Sequence, residues 1–392
     1  MRRVKSGCFY LISGVLSMLN NVKSRCLAGP NKTYSRILLI SPAHIGDFIW
    51  TSSIIRALSM VYPYIEFDVV VNHDSREIAS LIPNVRNVLA FNYNRGRGAG
   101  LSTGRSDWSN IKKVLKEIMR SEYDGLIVFL PDMILNLLVQ FFSLFRKRPI
   151  KVCDISWLNL GNVLNRLAGT KEVKHELDIF KQVVSHLVKN GKIPEPIPFI
   201  EIPEANKSQS KPHLNDKLLT GFCVGAGWKY KKWNRTHFLK VANLILQEYK
   251  NALIMVYGVD SEDAETANFI KQNCTCPEKV ETFINREMLD FLKSLQQCNL
   301  VISNDSGPAH IASALGVPLI VIFGPVDPAR ATPRGTSTVK VHWNRVECSP
   351  CSQTVCFNSV KRKCMDSVLP VEVFRGVKEA IQSFYIKQPL GL

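Results

Sequence analysis

The sequence predicts an α/β protein of two doubly wound domains in tandem, and three observations carry that prediction. Apolar runs of strand length alternate with helical patterns from Arg36 onward, the signature of a parallel sheet flanked by helices. The chain has 392 residues, beyond the roughly 100–200 of one ordinary compact domain. Between 190 and 216 the alternation stops, and Pro194, Pro196, Pro198, Pro203 and Pro212 stand among Ser, Asn and Lys, the composition of an interdomain connection.

The first element is the strand Arg36-Ile-Leu-Leu-Ile-Ser41, which runs through Pro-Ala-His-Ile-Gly-Asp47 into a helical pattern from Ile49 to Leu58. Ile65 to Val71 follows as a strand, then a helical stretch over 108–120, a strand from Gly125 to Phe129 and an apolar helix from Met133 to Phe145. After the connection the order restarts with strand Leu219 to Val224, loop 225–234, helix 235–249 and strand Ala252 to Tyr257. Helices over 261–273 and 287–297 and a strand from Leu300 to Ser303 complete the pattern. The expected domains are 36–205 and 206–392, preceded by an N-terminal extension over 1–35. Two such domains facing across a cleft gather ligands at the carboxyl ends of their strands.

Composition narrows the partners. With 46% hydrophobic and 21% charged residues the chain is globular and not of the disordered class. A formal charge of +17 calls for a polyanion, namely nucleic acid, an anionic membrane surface or a phosphorylated substrate. Nucleic acid is set aside, because no zinc-finger, RRM or KH signature is present and the basic residues are scattered apart from clusters at 146–148 and 229–232. Eleven unevenly spread cysteines fit a reducing, cytoplasmic compartment.

At the N-terminus Arg2, Arg3 and Lys5 precede an apolar stretch from Cys8 to Leu19, interrupted at Asn20, Asn21 and Lys23. It is too short for the about 20 residues of a membrane span. Two readings remain, a frayed extension or an interfacial helix that lays Phe9, Leu11, Val15 and Leu19 among lipid headgroups of the inner membrane.

Three loops hold candidate chemistry. In Val301-Ile-Ser-Asn-Asp-Ser-Gly-Pro-Ala-His310 a strand ends in small polar residues and a helix opens at Pro308, so Asp305, Ser306 and Gly307 leave backbone N–H groups at the positive end of the helix dipole. Either Asp305 or Ser306 merely caps that helix, or the start is an anion site. With Asn304 and His310 it offers four polar groups around a glycine, which suits a diphosphate. The loop Gly225-Ala226-Gly227-Trp-Lys-Tyr-Lys231-Lys232 brings permissive backbone and two lysines that can reach phosphate. In Ser41-Pro-Ala-His-Ile-Gly-Asp47 the aspartate is a candidate base for an acceptor hydroxyl, or else the cap of its own helix, and His44 is a second candidate base.

These residues resemble a known family. Ser41-x4-Gly46-Asp47, Gly225-Ala226-x4-Lys231-x-Trp233, Ser303-Asn-Asp-Ser-Gly-Pro-x-His310 and Phe323-Gly-Pro-Val-Asp-Pro328 look like the ADP-heptose:lipopolysaccharide heptosyltransferases, glycosyltransferase family 9. The resemblance implies a GT-B fold of two Rossmann-like domains, with donor in the C-terminal one. It implies inverting, metal-independent transfer of heptose from ADP-heptose to the lipopolysaccharide inner core. By the same resemblance Asp47 is the general base, Lys231 meets the donor phosphates and Glu262 holds the ribose, while Asn304, Asp305, Ser306, Gly307 and His310 match the donor-binding segment. The family often carries Thr or Ser where Ala226 and Gly227 stand here, which leaves phosphate contact to backbone amides. Two rivals stand beside this reading: O-heptosylation of an autotransporter protein, and, because fold does not fix function, a non-catalytic nucleotide- or lipid-binding role on the same fold.

Cys348-x2-Cys351-x4-Cys356-x7-Cys364 supplies four thiols, enough ligands for a tetrahedral structural site for zinc or iron. Packed reduced thiols or a disulfide are the alternatives.

Overall fold

A computed structural model describes residues 12, 15–22, 34–92, 112–113, 115–117, 119, 123–129, 133–145, 150–154, 173–188, 191–202, 217–351 and 355–387. Phe9, Leu11, the Arg-Gly run at 95–100, the cluster at 146–148 and the prolines at 203 and 212 lie outside them. The chain forms two compact units that divide between Ile197 and Pro198, inside the proline-rich stretch.

The first unit holds a parallel sheet of five strands, β1 (Arg36–Ser41), β2 (Glu66–Asn72), β3 (Val85–Phe91), β4 (Gly125–Val128) and β5 (Lys151–Asp154), in the order β3-β2-β1-β4-β5. The central strand β1 pairs with β2 along its whole length and with β4 from Ile37 to Ile40, and is buried from Ile37 to Ser41, so its apolar residues run without alternation. From it the chain turns directly into helix α1 (Ile45–Val61). Farther on come α2 (Met133–Leu144) and α3 (Glu176–Ser185). Helix α1 is buried at eleven positions, including Phe48, Trp50, Ile54 and Leu58. Trp50 meets His175 and Phe180 edge-on, and Phe180 stacks flat on Phe129 with ring centroids 4.0 Å apart. That packing fixes the start of α1 against the end of the sheet.

The second unit repeats the plan with six parallel strands, β6 (Leu218–Cys223), β7 (Ala252–Gly258), β8 (Val280–Ile284), β9 (Leu300–Asn304), β10 (Leu319–Ile322) and β11 (Val339–His342). Their order is β11-β10-β9-β6-β7-β8, which renumbered from β6 is the 3-2-1-4-5-6 sequence of a doubly wound sheet. Helices α4 (Arg235–Glu248), α5 (Ser261–Asn273), α6 (Met288–Gln296), α7 (Gly307–Ala314) and α8 (Pro370–Lys387) connect and cover the strands. The core gathers Phe222, Phe238, Trp233, Ile302 and Val377. Strand order reverses between β6 and β9, so the loops after these two strands border the crevice where such sheets bind ligands.

Among the described residues no helix is long and apolar enough to cross a membrane.

Candidate functional site

At the switch point of the second unit, the turn from β9 into α7 is held from beneath by Asn304. This side chain is wholly buried, its Oδ1 accepts from the Trp233 N–H at 2.9 Å, and its Nδ2 donates to the carbonyls of Val224 at 2.8 Å and Gly225 at 3.4 Å. Asn304 was expected among the donor contacts. Its amide instead bolts the loop after β6 to the end of β9, which makes it a positioning residue.

The helix start itself is left without a side-chain cap. Ser306 is the N-cap residue in extended conformation, yet its Oγ turns back to the Asn304 carbonyl at 3.2 Å. Gly307 and Pro308 open the helix, proline being preorganised where no donor is required. Of the two readings of this segment, capping by Ser306 or Asp305 is not the one adopted, and the positive end of the α7 dipole keeps its capacity for an external anion.

Lys231 stands at that helix start. Its Nζ lies 2.6 Å from Asp305 Oδ2 and donates to the Asp305 carbonyl at 3.1 Å, with the Trp228 ring 5.1 Å away. Asp305 is buried and His310, one turn into α7, is buried too. The ammonium and the dipole therefore act on the same space, and Asp305 orients the lysine within it.

Lys232 behaves differently from its neighbour, and against expectation it is not placed as a phosphate partner. It is buried, and its Nζ lies 2.8 Å from Asp263 Oδ1, 2.9 Å from Glu262 Oε2 and 3.5 Å from Asp260 Oδ2. Burial works against its charge, but the hydrogen bonds it donates to Asp263 and Glu262 outweigh burial and raise its pKa above the ordinary lysine value. Glu262 remains largely exposed beyond this pair.

Sequence reasoning missed Asp263. Its Oδ2 accepts from the Val259 N–H at 3.0 Å while Oδ1 holds Lys232, so this buried carboxylate ties the loop after β7 to the lysine loop. The signal was present in Asp260-x-x-Asp263, because the Asp260 side chain caps α5 at the Asp263 N–H. The glycine reading changes with it. A Cβ on Gly225 would stand 2.5 Å from Asp263 Oδ2, so that glycine makes room for a carboxylate. Of the two glycines in this loop it is Gly227 that looks onto open space, and Ala226 beside it is half-buried. Arg362 was also missed, and its Nη1 donates to the Lys232 carbonyl at 3.4 Å.

In the first unit, Asp47 occupies the third position of α1 and is half-buried, and its Oδ2 accepts from the His44 N–H at 3.2 Å. It does cap its helix. A carboxylate has a second oxygen, so capping leaves one atom for proton transfer. Thr51 fixes the turn, donating to the Asp47 carbonyl and bonding Ser41 Oγ at 2.9 Å. His44 is exposed.

The four cysteines line one pocket of about 70 Å³ together with Tyr230, Arg362 and Lys363. Burial pushes the Cys364 thiol up to about 11, and Cys351, Cys348 and Cys356 add to the shift. Among the described residues no three His, Cys, Asp or Glu are gathered as a group that could hold a metal ion.

The family described as glycosyltransferase family 9 (heptosyltransferase) matches residues 112–361. Lipooligosaccharide heptosyltransferase 2 of Haemophilus influenzae is 25% identical over 319 residues, 76% of this chain and 85% of that protein. Lipopolysaccharide heptosyltransferase 2 of Escherichia coli is 24% identical over 309 residues, 75% of this chain and 84% of its own. Among solved structures, E. coli ADP-heptose lipopolysaccharide heptosyltransferase II superposes with a TM-score of 0.64 at 19% identity, covering 89% of this chain and 99% of that one. The family 9 glycosyltransferase of Veillonella parvula gives 0.68 at 19% identity, over 91% and 99%. With its two parallel α/β units the chain has the GT-B fold.

Proposed function

The chain belongs to glycosyltransferase family 9, and from that premise we propose that it transfers heptose from ADP-heptose to the lipopolysaccharide inner core with inversion at the anomeric carbon. The second unit binds the donor and the first binds the acceptor. The observation that carries this reading is the uncapped start of α7 with the Lys231 ammonium held over it by Asp305.

Asp47 takes the proton of an acceptor hydroxyl as its oxygen attacks the anomeric carbon, and the bond from that carbon to the ADP oxygen breaks. Charge grows on the departing diphosphate, where Lys231, the α7 dipole and the amides of Ala226, Gly227, Ser306 and Gly307 stabilise it more in the transition state than before. Glu262, exposed beyond its pair with Lys232, receives the ribose hydroxyls. Protein groups thus take the leaving-group charge, and chelator-treated enzyme keeps its turnover. Stoichiometric zinc or iron in purified protein would restore the structural metal at the cysteines. The chain works in the cytoplasm, peripherally at the inner membrane.

The test is mass-spectrometric readout of transfer from ADP-heptose to a panel of truncated core oligosaccharides and to an autotransporter passenger. One added heptose on a core oligosaccharide supports the reading. Transfer only to the passenger moves the acceptor to protein, and the absence of both transfer and ADP release removes the enzyme assignment.

A further inference from the structure

An amphipathic helix on a protein surface ordinarily turns its apolar stripe inward. Helical residues 15–22 do the reverse. Ser17 and Asn20 are buried, whereas Val15, Met18, Leu19 and Val22 are exposed, with Met18 at 59% and Leu19 at 50%.

Polar docking explains the inversion. Asn21 lies against the edge strand β5, where its Nδ2 donates to the Val152 carbonyl and its Oδ1 accepts from the Val152 N–H, both at 2.9 Å. An exposed strand edge offers such groups, and a side-chain amide completes them as another strand would. Asn20 Nδ2 donates to the Gln140 carbonyl at 3.0 Å, which sets the helix beside α2, one residue from Phe141. Phe141 and Phe145 are themselves exposed, Phe145 at 62%, and their rings lie 4.9 Å apart. The helix is thus held by hydrogen bonds, and its apolar side chains stand outward next to two outward phenylalanines.

Charge says what covers them. The first 46 residues contain seven Lys and Arg and no Asp or Glu, and Arg146, Lys147 and Arg148 follow α2 directly in sequence. Exposed aliphatic and aromatic side chains with cations close by in sequence are the composition that inserts into the headgroup region of an anionic bilayer. We propose that Val15, Met18, Leu19 and Val22 with Phe141 and Phe145 form a face that docks the first unit on an anionic lipid surface. This deepens the membrane part of the reading above and is independent of its chemistry.

The experiment is co-flotation of the full chain with vesicles of phosphatidylcholine alone or with about a third phosphatidylglycerol, before and after raising the salt. Wild type floats with the anionic vesicles, stays behind with the neutral ones, and loses binding as screening shortens the reach of the cations. Leu19→Glu with Phe145→Glu alters two solvent-facing positions. That variant keeps its melting temperature and its transfer to a water-soluble core oligosaccharide, and its partition onto anionic vesicles falls at least about tenfold. Wild type that ignores anionic vesicles, or a double variant that floats equally well, overturns the proposal. So does sedimentation showing a dimer that the double variant dissolves, which makes the face a contact between copies. Loss of transfer with vesicle binding intact strikes the catalytic reading alone.

Discussion

Two strand-to-helix turns, one in each unit, start from the same architecture and end in opposite states. Both follow an interior strand that borders the point where strand order reverses, β1 in one sheet and β9 in the other. In the first, Asp47 closes its own helix start by accepting from the His44 N–H. In the second, Ser306 turns its hydroxyl away and the start of α7 has no side-chain cap. A helix beginning is therefore a choice between internal and external anions, and the choice is read from where one short side chain points. In the proposed reaction the carboxylate of the closed turn takes the proton and the open turn receives the negative charge of the leaving group.

The largest expected effect separates the two roles of Asp47. Asp47→Asn keeps an oxygen to accept from His44 but cannot take a proton, so turnover falls about 100- to 10,000-fold while the melting temperature holds. Asp47→Ala adds the loss of the cap, about 1 kcal/mol in chemical denaturation. If Asn at this position turns over normally, the first turn is only a cap and the contrast collapses.

Next come the adjacent lysines. Lys232→Ala leaves buried Asp263 without its counter-ion and lowers folding stability by about 3 kcal/mol in a urea titration. Lys231→Ala, at the open turn, likewise strands buried Asp305 and costs stability, but it also lowers kcat/KM about 100-fold in the folded enzyme, which Lys232→Ala does not. A loss of kcat/KM at Lys232 and none at Lys231 would assign the leaving group to Lys232. The smallest effect comes from closing the open turn. Ser306→Asp places a carboxylate at the start of α7, and the KM for ADP-heptose rises about tenfold as the anion site becomes occupied from within.

The legible parts of the fold share one physical cause. β1, β4, β6 and β9 lie inside their sheets and are buried on both faces, so they stand out as unbroken apolar runs. The strands that went unseen include β3 and β8 at sheet edges, where Arg86, Asn87 and Glu281 face outward and dilute the signal. The site divides along similar lines. The strand-end positions of Asp47, Lys231 and the Asp305 to Gly307 segment were legible because local sequence alone sets them. What Asn304 and Lys232 do was not, since their partners lie 71 and 31 residues away in the chain. Side-chain type announces that a group will bond, whereas the fold decides to what.

Asp263 carries a consequence for how this sequence can drift. Its carboxylate fills the space a Cβ on Gly225 would take, and its own Cβ lies where a Cβ on Gly258 would fall. Three positions spread over 39 residues are thus sterically coupled. Shortening Asp263 to Ala removes the carboxylate from position 225 but leaves its Cβ against 258, where Ile284 Cδ1 also stands 3.1 Å from an added Cβ. The lysine loop and the turn after β7 share one side chain, so a substitution in either is felt in the other.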